Sequence, residues 1–162
     1  MKDLAAACKR TSEVKKYNKM SAAQHQLEGA IANLFVGNWP AAITLAGAAE
    51  GILPAHDQHE DLFSLATKKG PEVFGYSSRE ISDKLNELRD WLKHHQKSNP
   101  AFTVEQEISQ DDVVSIVMRA YTRFYAHNLP VEPNEALSEH LLVFENWFRT
   151  NYADWLSQNK RT

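Results

Sequence analysis

The stretch SAAQHQLEGAIANLFVGNWPAAITLAGAAEGILP, residues 21–54, contains two helical patterns joined by a short polar turn. In the first half, apolar residues recur every three or four positions, which is the spacing of one helix face. These residues are Leu27, Ala30, Ile31, Leu34 and Phe35. Ser21 is the expected N-cap, with Gln24 completing a capping box, and Gly37 is the expected stop. The pattern therefore predicts a first helix over residues 21–37.

The second half predicts another helix directly after the first. Asn38 is a suitable N-cap, and Pro40 falls in the first turn, where its missing N–H costs little. Alanine and glycine then cover nearly every side of the helix, so a neighbouring element can approach closely. Because the join is so short, the two helices should form an antiparallel hairpin. Glu50 is a candidate binding residue, since a carboxylate among alanines is either buried and paired with a later arginine or turned toward water.

Two helices and one extended segment follow this hairpin before the last two helices. DQHEDLFSLATKK predicts a short helix that ends at Gly70 and Pro71. A surface helix should then begin at Ser77 or Ser78, with Glu80 in the capping-box position. AFTVEQEIS, residues 101–109, alternates apolar and polar residues and is interpreted as an extended connection packed onto the bundle.

The last two helices are the most apolar part of the chain. Ser109 and Asp112 should start a central fifth helix, which is apolar around most of its circumference, and Pro133 should open the sixth. The aromatic residues of the sixth helix fit either the core or a surface for a second copy of the chain. The sequence thus predicts an all-α, single-domain bundle of about five to six helices with one extended connecting segment.

Composition and charge limit the function classes. The 162 residues carry a net charge of −3, so no overall positive field favours nucleic acid. Residues 1–20 hold six basic and two acidic residues and form a basic arm, which either contacts phosphate or anionic lipid or is a solvated lead-in. The predicted organisation is this arm, a bundle domain over 21–158 and a tail over 159–162. One cysteine, Cys8, excludes an intrachain disulfide. With no run of about 18 apolar residues, a cytoplasmic protein is expected.

The clearest chemical pattern is RAYTRFYAHN, residues 119–128. Arg119, Arg123 and His127 are four residues apart and share one side of the fifth helix. Arginine holds phosphate and histidine moves protons near neutral pH, so this face is a candidate catalytic site for RNA cleavage. The alternative is the polar stripe of a packed helix.

Two stretches resemble a known family. QLEGAIANLFVGNWPAAITLAGAAEGIL (26–53) and TRFYAHN (122–128) are similar to a group of uncharacterised bacterial proteins in which "A-TLA-AAEEIL" and "NFFKHA" recur. That group resembles the HEPN superfamily, which implies a compact helical bundle that often dimerises. Many members are metal-independent RNases of toxin–antitoxin pairs, and others are inactive binding or scaffold domains.

The HEPN catalytic motif is not matched in this sequence. It has an arginine, four to six residues and then a histidine, whereas three residues separate Arg123 from His127 and seven separate Arg119 from it. The expected function is therefore a non-catalytic protein that acts as a homodimer or by binding a protein partner. A metal-independent RNase or nucleotide-binding protein that uses the Arg/His face is the alternative.

The other histidines suggest a metal site only weakly. HDQHE brings His56, Asp57, His59 and Glu60 together, and His94 and His95 are adjacent. A His-x-x-His pair needs a third converging ligand, and no spacing here supplies one. The chain also lacks a nucleophile motif, a phosphate-binding glycine loop and a dinucleotide fingerprint. We therefore expect no metal and no cofactor.

Overall fold

The computed structural model describes residues 14–56, 59–93, 105–128 and 138–153. All regular structure in these four ranges is helical, which confirms the all-α, single-domain bundle. The helices are α1 (Lys19–Phe35), α2 (Trp39–Ile52), α3 (Leu62–Phe74), α4 (Ser78–Lys93), α5 (Gln110–Asn128) and α6 (Glu139–Asn151). Within the described ranges, no helix combines the length and the apolar character that crossing a membrane requires.

The core is built by α1, α2, α5 and α6. The α1–α2 hairpin is present, and α5 packs against both of its helices, as its apolar circumference predicts. The largest fully buried apolar side chains all belong to these four helices: Leu27, Ile31, Ile43, Val113, Val117, Leu141 and Phe144. Two tyrosine hydroxyls join α5 to α6, since Tyr121 donates to Glu145 at 2.9 Å and Tyr152 donates to Asp111 at 2.6 Å. These pairings run in opposite directions along the two helices, so α5 and α6 are antiparallel.

The first helix begins earlier than predicted. Its N-cap is Asn18, whose side chain accepts the Ser21 amide at 2.8 Å, while the Ser21 hydroxyl accepts the Asn18 amide at 3.0 Å. Ser21 is therefore the third helical residue of a reciprocal capping box rather than the cap, and Gln24 bonds Glu28 instead. The helix start predicted at residue 21 is two residues late. The stop is close to the prediction, because Gly37 follows the helix with φ 75°.

The predicted end of the third helix is wrong. The helix α3 continues through Gly70 and Pro71 to Phe74, and it ends at Gly75, which has φ 70°. Gly70 is buried against the following helix, where an added Cβ would lie 2.6 Å from Ile81 Cδ1. Gly70 therefore allows α3 to pack closely on α4 and does not end the helix. The fixed φ of Pro71 fits the helix, and its carbonyl accepts the Gly75 amide at 3.1 Å.

Two predicted helix starts are confirmed. Ser77 and Glu80 form a capping box, with the Glu80 carboxylate accepting the Ser77 amide at 2.7 Å. Ser109 and Asp112 do the same for α5, at 2.8 Å. Residues 105–109 form no regular structure, in agreement with a connecting segment. Several predictions fall outside the described ranges: residues 101–104, the arm before residue 14, the opening of the sixth helix at Pro133, and the tail over 159–162.

The α3–α4 hairpin contributes little to the apolar core. Leu88 and Leu92 of α4 pack against that core as partly buried residues, and Ile81 is the only buried apolar side chain that the two helices supply. The hairpin packs on α2 and α5. Many of the contacts between the hairpin and these two helices are made by charged and polar side chains. The candidate site lies at this junction.

Candidate functional site

A buried ion pair forms the centre of the candidate site. Glu50 of α2 and Arg119 of α5 have side chains only 4% and 3% exposed. Arg119 Nη2 lies 2.8 Å from Glu50 Oε2, and Nε lies 3.2 Å from Oε1, so two nitrogens on one edge of the guanidinium bind both carboxylate oxygens. Of the two alternatives for Glu50, burial with an arginine partner is confirmed.

The same guanidinium also holds the α3–α4 hairpin. Arg119 donates to the Leu85 carbonyl and, at 3.0 Å, to Asn86 Oδ1, both on α4. Its Cζ lies 4.5 Å from the ring centre of Phe63 on α3. Burial lowers the pKa of Arg119, and the Glu50 carboxylate opposes that change. One side chain thus connects four helices.

Arg89 approaches Glu50 from α4. Its Nη1 lies 3.3 Å from Glu50 Oε2. Its aliphatic stem lies over Gly47, one turn before Glu50, where an added Cβ would be 2.7 Å from Arg89 Cδ. The small residues of α2 were predicted to allow a close neighbour, and at Gly47 that neighbour is the arginine stem.

Arg123 pairs with a second buried carboxylate. Its Nε lies 2.7 Å from Asp61 Oδ2, and its Nη1 donates to the Glu50 backbone carbonyl at 3.3 Å. Asp61 is the N-cap of α3, and its Oδ1 accepts the Ser64 amide at 2.8 Å. Burial alone raises the pKa of Asp61, but the hydrogen bonds from Arg123 and Ser64 lower it below its usual value overall. The capping residue of α3 is therefore also the anchor of α3 on α5.

His127 lies at the end of the same side of α5, but its ring points to the segment after α2. Its Nε2 donates to the Pro54 carbonyl at 2.8 Å. The His56 ring centre is 5.0 Å away from that of His127, and His59 is 5.0 Å from His56. Glu60 of the same motif pairs with Lys68 at 2.5 Å.

The described histidines and acids do not converge as metal ligands. No group of three or more His, Cys, Asp or Glu residues in the described ranges has the geometry to hold an ion. Asp57, Cys8, His94 and His95 fall outside those ranges. The sequence offers no spacing that adds a third ligand to the His-x-x-His pair.

The structure places all three candidate catalytic residues along one side of α5, as the spacing predicts. It also shows what the spacing cannot: each points at an acceptor from its own chain. Sequence reasoning missed Asp61, Arg89 and Asn86 as members of this charge network, which we define as Glu50, Asp61, Asn86, Arg89, Arg119 and Arg123. Asp61 had a detectable local signal, since an aspartate directly before an apolar helical stretch is a typical N-cap. Arg89 and Asn86 had none.

Comparison with known proteins identifies no relative. No protein-family model, no curated protein and no solved structure matches the chain. Three guanidinium groups surround two buried carboxylates, which makes the charge network a connection between α2, α3, α4 and α5.

The pH dependence of the stability that Asp61 contributes gives a first test of this connection. Asp61→Asn should lower the free energy of unfolding at pH 7 by about 1–3 kcal/mol, because it removes a charged hydrogen bond in a buried position. The folded-state pKa of Asp61 is lowered, so its carboxylate stabilises the fold fully above the unfolded pKa of about 4, and this contribution is lost as the pH falls through the folded pKa. The variant should therefore lose less stability than the wild type on acidification below about pH 4.

Urea unfolding followed by circular dichroism at several pH values measures this difference. Asp83→Asn is the matched control, because Asp83 is 74% exposed and faces Arg79 at 3.9 Å across one helical turn. Its stability and acid dependence should equal those of the wild type. Identical behaviour of the two variants would contradict the role of Asp61.

Proposed function

We propose that this protein is a non-catalytic helical bundle that acts by self-association, in the manner of the binding members of the HEPN superfamily that its hairpin resembles. Support comes from an exposed apolar surface that crosses three helices. We call it the α6 band, and it consists of Phe35, Val36, Tyr125, Leu142 and Val143. Each of these side chains is at least 43% exposed.

Aromatic contacts link the outer members of the α6 band to α6. Phe35 packs edge-on against Trp147 of α6, with ring centres 5.5 Å apart. On the other flank, Tyr125 stacks on Tyr121 at 6.2 Å, and Tyr121 in turn contacts Phe144 of α6 at 5.8 Å. Leu142 and Val143 lie between these flanks on the outer face of α6. Exposed apolar side chains grouped around one helix favour a protein interface.

The charge network supports the non-catalytic half of the proposal. Arg119 is 2% exposed and Arg123 holds Asp61, so the two cations best suited to a phosphate already bind carboxylates of their own chain. A metal-independent RNase using Arg119, Arg123 and His127 receives less support, because a substrate phosphate must displace Glu50 or Asp61. RNA cleavage in metal-free buffer that His127→Ala abolishes would favour that alternative.

Val143→Glu tests self-association. A charge at the centre of an apolar interface should raise the dimer dissociation constant by about 30-fold or more, the effect of losing an interface residue worth about 2 kcal/mol. Val143 is 49% exposed, so the fold itself should tolerate the change. Size-exclusion chromatography with light scattering over a range of concentrations gives the dissociation constant.

The matched control is Val73→Glu on α3. Val73 is 70% exposed but lies outside the α6 band, so this variant should dimerise like the wild type. A wild-type protein that is monomeric at every concentration would contradict the proposal. So would equal weakening by both variants, because the effect would then come from added charge rather than from this surface.

A further inference from the structure

The outer face of α6 has an ordered charge pattern. Six residues lie within one arc of the helix and are exposed: Glu139, Leu142, Val143, Asn146, Arg149 and Thr150. The acid is in the first turn, the apolar pair follows, and the base is in the last turn. Arg149 binds Glu145 of its own helix at 2.6 Å, yet its side chain is 67% exposed.

Two identical α6 faces can meet about a twofold axis in two ways. If the axis runs along the helix, the two α6 helices are parallel, and Glu139 lies beside Glu139 while Arg149 lies beside Arg149. If the axis is perpendicular to the helix, they are antiparallel, and each Glu139 lies beside the Arg149 of the other copy. The two residues are ten positions apart, about 15 Å along a helix, so each orientation gives distinct contacts.

Charge complementarity selects the second arrangement. Like charges placed opposite each other across an interface oppose binding, whereas the antiparallel arrangement forms two opposite-charge pairs. The antiparallel arrangement also orients the two helix dipoles in opposite directions, which is electrostatically favourable. On the basis of the self-association proposed above, we propose that two copies pair through antiparallel α6 helices, with Glu139 of each copy facing Arg149 of the other. The symmetry then places Tyr125 of both copies on one side of the interface and Phe35 of both copies on the other side.

Charge reversal tests the pairing. Glu139→Arg and Arg149→Glu should each raise the dimer dissociation constant by about tenfold, because each creates two like-charge contacts. The double variant should return to within about threefold of the wild type, because both pairs are restored with reversed sign. An additive loss in the double variant would overturn the antiparallel pairing. Circular dichroism confirms that each variant is folded.

Disulfide formation gives a direct reading of orientation. In a Cys8→Ser background, which removes the single natural cysteine, we would introduce Glu139→Cys in one preparation and Thr150→Cys in another. Antiparallel helices bring residue 139 beside residue 150, so only the mixture should cross-link on mild oxidation. Parallel helices would cross-link each preparation with itself, and that result would overturn the inference.

The two levels of the hypothesis fail in different ways. If Val143→Glu leaves the association state unchanged, self-association through the α6 band is wrong. If Val143→Glu dissociates the dimer but the oxidised mixture forms no 139–150 disulfide, the surface is correct and the antiparallel pairing is wrong.

Discussion

Replacing Arg119 by methionine should lower the free energy of unfolding by about 3–5 kcal/mol, the usual cost of removing one partner from a buried ion pair. Glu50, 4% exposed, would lose its closest cation and keep only Arg89 at 3.3 Å and Arg123 at 4.0 Å. The Leu85 carbonyl and the Asn86 side chain would lose a donor as well. Since a domain of this size is stabilised by about 5–15 kcal/mol in total, the loss is large. Denaturant unfolding followed by circular dichroism measures it.

Arg79→Met is the matched control for Arg119→Met. Arg79 also pairs with a carboxylate, that of Asp83 at 3.9 Å, but it is 91% exposed and pairs within one helical turn. Such surface pairs contribute about 0–1 kcal/mol, so the control should be close to the wild type. Equal effects of the two substitutions would contradict the central role of the Arg119–Glu50 pair.

Removing both charges separates the cost of an unpaired ion from the value of the pair. The double variant Arg119→Met, Glu50→Met leaves no unpaired carboxylate at position 50, and apolar replacements of buried pairs are often close to neutral. It should therefore be more stable than Arg119→Met alone. Arg89 and Arg123 would lose contacts to the Glu50 side chain, so full recovery is not expected.

The parts of this fold that are encoded locally were predictable. The first two helices follow from apolar spacing, and the Ser77–Glu80 and Ser109–Asp112 boxes follow from residues three positions apart. The errors come from tertiary contacts. Gly70 and Pro71 indicate a stop when read locally, but the bundle uses the missing Cβ of Gly70 to bring Ile81 close.

The candidate site was predictable in its spacing but not in its partners. A spacing of four residues places Arg119, Arg123 and His127 on one side of a helix, whichever residues pack against that side. Their partners are distant in sequence: 69 positions separate Arg119 from Glu50, and 62 separate Arg123 from Asp61. The sequence left open whether Glu50 is buried. The alanines around it indicate that another element can approach closely, but they do not indicate which element covers Glu50.

The narrow apolar stripe of α4 explains why charge holds its hairpin. A helix with few apolar residues buries little area, and burial is worth about 25 cal/mol per Å². Here Leu88 and Leu92 are only partly buried, whereas Arg89 and Asn86 on the same helix belong to the charge network. Directional hydrogen bonds from charged groups fix the position of the hairpin more narrowly than a small apolar contact does.

Phe144→Ala should be the second substitution with a loss of about 3–5 kcal/mol, the usual cost of truncating a buried phenylalanine. Phe144 is fully buried, and its ring centre lies 5.8 Å from Tyr121, 6.1 Å from Trp147 and 6.2 Å from Phe148. It is the inner counterpart of Val143 and holds α6 on the core. The matched control is Phe74→Ala, because Phe74 is 68% exposed at the end of α3 and should cost little.

The neighbouring positions 143 and 144 separate stability from association. Phe144→Ala should lower the urea midpoint strongly, whereas Val143→Glu should leave it near the wild-type value and act on the dimer dissociation constant. The midpoint must be compared well below the dissociation constant, since dimerisation itself stabilises the fold by mass action. If Val143→Glu lowers the monomer midpoint as much as Phe144→Ala, then α6 presents no free outer face, and both the α6 band and the pairing built on it are wrong.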